Sequence, residues 1–207
     1  DIPAHWSVVR LGRLFRESVT TGSDDLPILS VSIHDGVSDR ELDESELDRK
    51  VTRSEDRSRY KAVQPGDLAY NMMRAWQGAF GAVMVAGQVS PAYVVARPIA
   101  DVRTEFVEQV LRTPKAIEQV RRHSRGITDF RLRLYWEEFK SLTIAIPPLA
   151  EQDAILAAMR RESARFEALM GEAKGMIALL KERRSALVSA AVTGQIDVRE
   201  TAPAEIA

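Results

Sequence analysis

The sequence predicts an α+β fold, a mixed α/β globular domain followed by one long C-terminal α-helix. Three observations carry that reading. Short apolar runs bounded by Gly, Pro, Asp or Ser recur up to residue 146, as strands do. An amphipathic stretch of helical spacing interrupts them at 104–126. Beyond Pro147-Pro148 an apolar repeat of helical period continues to Thr193 without another proline. The expected organisation is a head over 1–148, a helix over 149–193 and a tail over 194–207.

The expected strands are "VVRL", "PILSVSI" (27–33), "DLAYNMM" (67–73), "FGAVMVA" (80–86), "AYVVARP" (92–98) and "LTIAI" (142–146). Between the second and third lie 27 mostly charged residues, "DGVSDRELDESELDRKVTRSEDRSRYK", which read as a long surface loop with room for a helical turn. Residues 104–126 read as a helix pair, with apolar Phe106, Val107, Val110 and Leu111 in the first and Ile117 and Val120 in the second. Thr113-Pro114 supplies an N-cap and an N1 proline for the second helix. Gly126 is the expected stop.

The long helix has its own pattern. From Ile155, alternating steps of four and three give Ile155, Met159, Glu162, Phe166, Leu169, Ala173, Met176, Leu180, Arg183, Leu187 and Ala190, of which nine are apolar. That is a heptad seam. A helix from Leu149 to Thr193 would extend about 65–70 Å at 1.5 Å per residue. Such a length exceeds a domain's diameter, so the seam is expected to need another helix. Pro147-Pro148 ends the last strand, and Pro148 can open the helix without losing a needed hydrogen bond. Gly194 closes it, and the last ten residues read as a frayed tail.

Composition narrows the function. The 207 residues include no cysteine, 45% are hydrophobic, and the formal charge is −1. Thiolate metal sites and disulfides are excluded, and a reducing, cytoplasmic setting is expected. No apolar run approaches the roughly 18 residues of a membrane span, and "DIPAHWSVVR" has no signal-peptide core. Without an initiator Met, the chain is expected to be a piece of something longer. Any nucleic-acid role must rest on locally clustered charge.

Local clusters are present. Residues 112–133 hold Arg112, Lys115, Arg121, Arg122, Arg125, Arg131 and Arg133 against Glu118 and Asp129, a local charge of +5. A second set, Arg49, Lys50, Arg53, Arg57, Arg59 and Lys61, follows an acidic run from Asp39 to Asp48 that would face away from phosphate or toward a protein partner. Such side chains neutralise phosphates, and arginine also reads guanine edges. In "YNMMRAWQGAFG" (70–81), Asn71, Arg74 and Gln77 can hydrogen-bond to bases, and Trp76 adds a flat apolar face. The plainer role for Trp76 is core. Flexible flanks at Gly78 and Gly81 favour a recognition loop.

Catalytic motifs are scarce. No glycine-rich phosphate loop precedes a helix, and no Asn-Pro-Pro-aromatic tetrapeptide occurs. His5, His34 and His123 lack metal-ligand spacing. Asp129, Glu138 and Lys140 match the loose D…ExK spacing of a Mg²⁺-dependent nuclease. A chain with 29% charged residues produces that match easily.

Taken together, "IPAHWSVVRLGRLF", "YNMMRAWQGAFG", "SPAYVV" (90–95), "GITDFRLRLYWEEFKSLTIAIPPLAEQ" (126–152) and "LLKERRSALVSAAVTGQIDVR" (179–199) resemble the DNA-specificity subunit of type I restriction-modification systems. The resemblance spans nearly the whole chain and is most specific at the β-run–Pro-Pro–Leu-Ala-Glu-Gln junction. It implies a target-recognition domain that reads one half of a bipartite site in double-stranded DNA, with no catalytic residues, cofactor or metal of its own. It implies as partners modification (methyltransferase) subunits, which flip out adenine and methylate N6 with S-adenosylmethionine, and restriction subunits using ATP and Mg²⁺. Family members carry two recognition domains, each followed by a long helix, and the helices pair as an antiparallel coiled coil. This chain has one such unit, so the resemblance implies either a half-length subunit or the C-terminal half of a full one. Self-association would restore two readers.

The family's DNA-contacting loops vary, so the site residues come from this chain's own pattern, and base reading is expected of Arg74, Trp76 and Gln77. Phosphate or base contacts fall to Arg49, Lys50, Arg53, Arg122, Arg125, Arg131 and Arg133. Helix pairing falls to Ile155, Met159, Phe166, Leu169, Met176, Leu180 and Leu187. A prokaryotic cytoplasm is implied. Two rival readings are a coiled-coil module whose head binds another protein and the metal-dependent nuclease.

Overall fold

The computed structural model describes residues 2–23, 25–33, 36–38, 58–126 and 132–196. The chain divides into two compact units, Asp1–Leu156 and Ala157–Ala207. The fold is α+β, and it is built on antiparallel strand pairs.

Strands β1 (Ser7–Arg10), β2 (Phe15–Ser18), β3 (Ser30–Ser32), β4 (Gly36–Ser38), β5 (Lys61–Val63), β6 (Leu68–Asn71), β7 (Phe80–Ala82), β8 (Gly87–Val89) and β9 (Tyr93–Pro98) come first. Helices α1 (Thr104–Leu111), α2 (Pro114–His123) and α3 (Trp136–Ser141), strand β10 (Thr143–Ile146) and helix α4 (Leu149–Val192) follow. A four-stranded sheet runs in the order β2-β9-β6-β7, and the pairs β1-β10, β3-β4 and β5-β8 surround it.

The period-two alternation of strand side chains gives this sheet two faces. Leu68 and Tyr70 of β6 and Val94 and Ala96 of β9 join Val107, Leu111, Val120, Leu134 and Phe139 in one core. The intervening Ala69 and Val95 join Leu29, Val31, Val63 and Val89 in a second. The register agrees, since Leu68 faces Ala96 and Ala69 faces Val95 across the β6–β9 ladder. Around Phe139 the first core is aromatic: Tyr70 stacks on it at 4.8 Å between centroids, and Trp136 lies at 5.5 Å. Burial pushes the Tyr70 hydroxyl well above its ordinary range.

Each expected strand has its counterpart, but β2, β4, β5 and β8 were not anticipated. The ends of the expected charged loop are ordered. Gly36–Ser38 forms a hairpin with β3, and Lys61 begins β5. The hairpin lies so close to β7 that a Cβ on Gly81 would sit 2.6 Å from Val37 N. Gly81 is therefore a packing requirement and not a flexible flank. Gly78, at φ 94, caps a 3-10 turn over Ala75–Gln77.

The helix pair forms as expected at its start, where Thr113 Oγ1 accepts from Ala116 N at 3.3 Å and Pro114 takes the first turn. The expected stop differs. Helix α2 ends at His123 because Arg125 turns into an antiparallel bridge with Arg133, three residues before Gly126 could act. At α4, Pro148 precedes the helix and its carbonyl accepts from Glu151 N and Gln152 N at 2.9 and 3.1 Å. The other end closes on Gly194 at φ 74. Gly194 N donates to Ala191 O and Gln195 N to Ala190 O, at 3.2 and 2.8 Å, the paired bonds of a Schellman cap.

Candidate nucleic-acid interface

Three segments of the head converge on one hydrogen-bonded strip. Arg125 and Arg133 exchange both backbone bonds, at 2.9 and 2.8 Å, and Leu134 N donates to Met72 O at 2.9 Å. Leu132 and Leu134 are buried, and Arg133 between them is exposed. Directly opposed residues of an antiparallel pair project from the same face, and like charges there are unfavourable. The Arg125–Arg133 pair is thus a placement that the fold alone does not favour. Glu138, with its side chain 10% exposed, offsets it by pairing with Arg125 at 2.5 Å.

The 3-10 turn beside this strip holds the residues singled out for base reading. Met72 leads into it, and Ile117 of α2 packs against Gly78. Arg74 and Gln77 have no side-chain partner among the described residues, and Gln77 is exposed. Asn71 is already used, because its Oδ1 accepts from Met73 N at 2.9 Å and holds the turn. Trp76 is half-buried against the first core, and its Nε1 donates to Met73 O at 2.9 Å.

Of the basic cluster over 112–133, part is spent on structure. Arg112 pairs with Glu108 at 2.9 Å and also donates to Ile33 O. Arg122 pairs with Glu118 one turn away, an exposed i,i+4 contact of little strength that a phosphate could displace. Lys115 and Arg121 are exposed on α2. Arg49, Lys50, Arg53 and Arg131 lie outside the described residues. The structure thus brings Arg74, Trp76 and Gln77 together with Arg125 and Arg133, and places Arg122 on the adjoining helix.

Two members of the carboxylate–lysine pattern already have partners. Glu138 is engaged by Arg125, Lys140 donates to Glu137 at 2.8 Å, and Asp129 lies outside the described residues. Among the described residues no three His, Cys, Asp or Glu side chains gather as a metal site, and no helix is long and apolar enough to cross a membrane.

The seam residues stand exposed along α4, from Met159 at 41% to Met176 at 63%, while Ile155 is half-buried. One cluster escaped the sequence reading. Gln152, 1% exposed, accepts from Arg103 N and donates to Pro147 O, both at 2.9 Å. Its neighbours Glu151 and Asp153 hold His5, Trp6 and Arg103. The available signal was the polar triplet Glu151-Gln152-Asp153, which follows Pro147-Pro148 after only Leu149 and Ala150.

One chain from a type I R-M system, characterised for its complex assembly and conformational transition, matches at TM-score 0.61 and 17% identity over 92% of this chain. The HsdS subunit from Thermoanaerobacter tengcongensis matches at TM-score 0.50 and 17% identity over 82%. The chain has the fold of a type I specificity subunit. It spans 46% and 40% of the lengths of those two chains, about half of each. No family profile and no curated protein sequence matches it. The long helix α4 after the α+β head belongs to this specificity-subunit fold.

Proposed function

We propose that this chain is a non-catalytic DNA-reading unit of a type I restriction-modification complex, reading one half of a bipartite site. The shared specificity-subunit fold carries this reading. The exposed Arg125–Arg133 pair, beside Arg74 and Gln77, which have no side-chain partner among the described residues, supports it. Phosphate contacts from Arg122, Arg125 and Arg133 would set register, and Arg74 and Gln77 would read base edges. Trp76 would shape the turn that presents them. Adenine-N6 methyltransferase subunits would dock on the complex and supply S-adenosylmethionine chemistry. ATP and Mg²⁺ would belong to restriction subunits. Two copies would pair through the α4 seam, antiparallel, to present two readers.

The test is sequence-selective binding of double-stranded DNA by the chain with its modification subunits, across a salt series. Affinity should fall steeply with salt, by a slope of roughly 0.9 per phosphate neutralised. Charge reversal at Arg125 and Arg133 should weaken it. Binding that neither salt nor charge reversal alters would favour a protein-binding head on a coiled coil.

A further inference from the structure

The start of α4 is gripped more tightly than packing requires. Glu151, Gln152 and Asp153 are consecutive, so their side chains leave the helix at about 100° intervals and cover roughly 200° of its circumference. Together they hold two parts of the head. Glu151 takes His5 Nε2 at 2.8 Å and Trp6 Nε1 at 3.1 Å, from the segment leading into β1. Asp153 takes the Arg103 guanidinium in two bonds of 2.6 and 2.8 Å, just before α1. Between them the buried Gln152 amide joins the Arg103 backbone N–H to the Pro147 carbonyl.

A buried Leu could fill the same space as Gln152, and Leu156 does so one turn later. Apolar contact is non-directional and lets a helix rotate or slide by small amounts. An amide with both ends bonded to backbone fixes rotation as well as position, and leaving either partner unpaired carries the desolvation penalty of a buried polar group. The joint is therefore built for angular definition.

We propose that Gln152, with Arg103, is a positioning residue that makes the complex selective for the number of base pairs between its two half-sites. The proposal rests on the half-site reading above. Each added base pair rotates the second half-site by about 34° and moves it by about 3.4 Å. A head held in fixed register on α4 cannot follow that change. A head on a loosened joint can.

The experiment uses the complete complex of this chain with its modification subunits, on duplexes bearing the wild-type motif with the native gap and with one or two base pairs added or removed. Methylation rate is read for wild type, Gln152→Leu and Arg103→Ala. Arg103→Ala removes an exposed ion pair, so it remains testable if Gln152→Leu does not fold. Wild type should lose at least about tenfold on the altered gaps, and the folded variants should lose only about threefold, a difference within the range of coupled contacts. Base preference within each half-site should stay unchanged at the native gap. Folded variants as strict about the gap as wild type would overturn the role of the joint and leave the half-site reading standing. So would variants that lose gap and base selectivity together, since that marks a support of the head alone. A wild-type complex without any motif would overturn the half-site reading and this proposal with it.

Discussion

Leu156 and Phe166 lie on the same helix and meet opposite fates. Leu156 is 7% exposed against the head, and Phe166 is 62% exposed. Leu169, Met176, Leu180 and Leu187 share the second condition. The side chains are of one chemical kind, so the difference is whether this chain supplies the partner surface. The head closes two cores around its sheet with its own residues. The helix beyond Ala157 carries apolar side chains for which the described residues of its own unit offer no cover, and most helical stability in proteins comes from packing such a face. The head is an intramolecular fold, and under the proposed pairing of two copies the seam is half of an intermolecular one.

The sharpest way to break that comparison is to damage both sides alike. Phe139→Ala should cost the head about 3–5 kcal/mol, the usual cost of truncating a buried aromatic, read as a lower urea midpoint. Phe166→Ala should leave the head's transition where it is and act on association alone. An equal loss from both would show that the seam is part of the head's core.

The double variant Leu169→Asp, Leu180→Asp comes next. Burying an unpaired charge costs a few kcal/mol per site, so sedimentation should show dissociation while the head's circular dichroism transition persists. An unchanged oligomeric state would count against the seam.

On the head's surface the expected effects are smaller. Arg133→Glu should lower DNA affinity by about tenfold and reduce the salt slope by about one, as loss of one phosphate contact does. Arg125→Glu should do the same and also destabilise the head, because it leaves the buried Glu138 facing a like charge. The two variants thereby separate recognition from support.

The smallest effect concerns pH. Burial raises the Glu108 carboxyl above its ordinary range, outweighing the Ala82 N–H and Arg112 that would lower it. Its protonated form is favoured in the folded head. The stability it contributes is full below the ordinary glutamate pKa of about 4.3 and is lost as pH rises through the raised value. Glu108→Gln should flatten that decline across mildly acidic pH in urea midpoints, and an unaltered pH profile would refute the assignment.

The contrast between the units also marks what the sequence could reveal. Helix α4 was legible nearly to the residue, because a 3.5-residue repeat between Pro148 and Gly194 is a long, redundant signal. The Thr113-Pro114 cap was legible for a local reason: both bonds close within one turn. Strands β2, β4, β5 and β8 were not. Three of them have three residues, too few to show alternation, and "FRES" of β2 is specified by β9 some eighty residues away. At the site, Arg125 and Arg133 were visible as charges, but a single bridge between two lone residues leaves no alternation to read. Trp76 and Asn71 were visible as recognition types, yet their polar atoms close on Met73. Gln152 was hidden because a polar residue in a first turn ordinarily faces solvent.

The most direct test of the account is the methylated motif produced when this chain is the only specificity chain supplied with modification subunits. Two identical half-sites in inverted orientation, separated by a constant gap, are the predicted result. Adenines methylated without a shared motif would contradict the reader, and a motif lacking two-fold symmetry would contradict the pairing of two copies through α4.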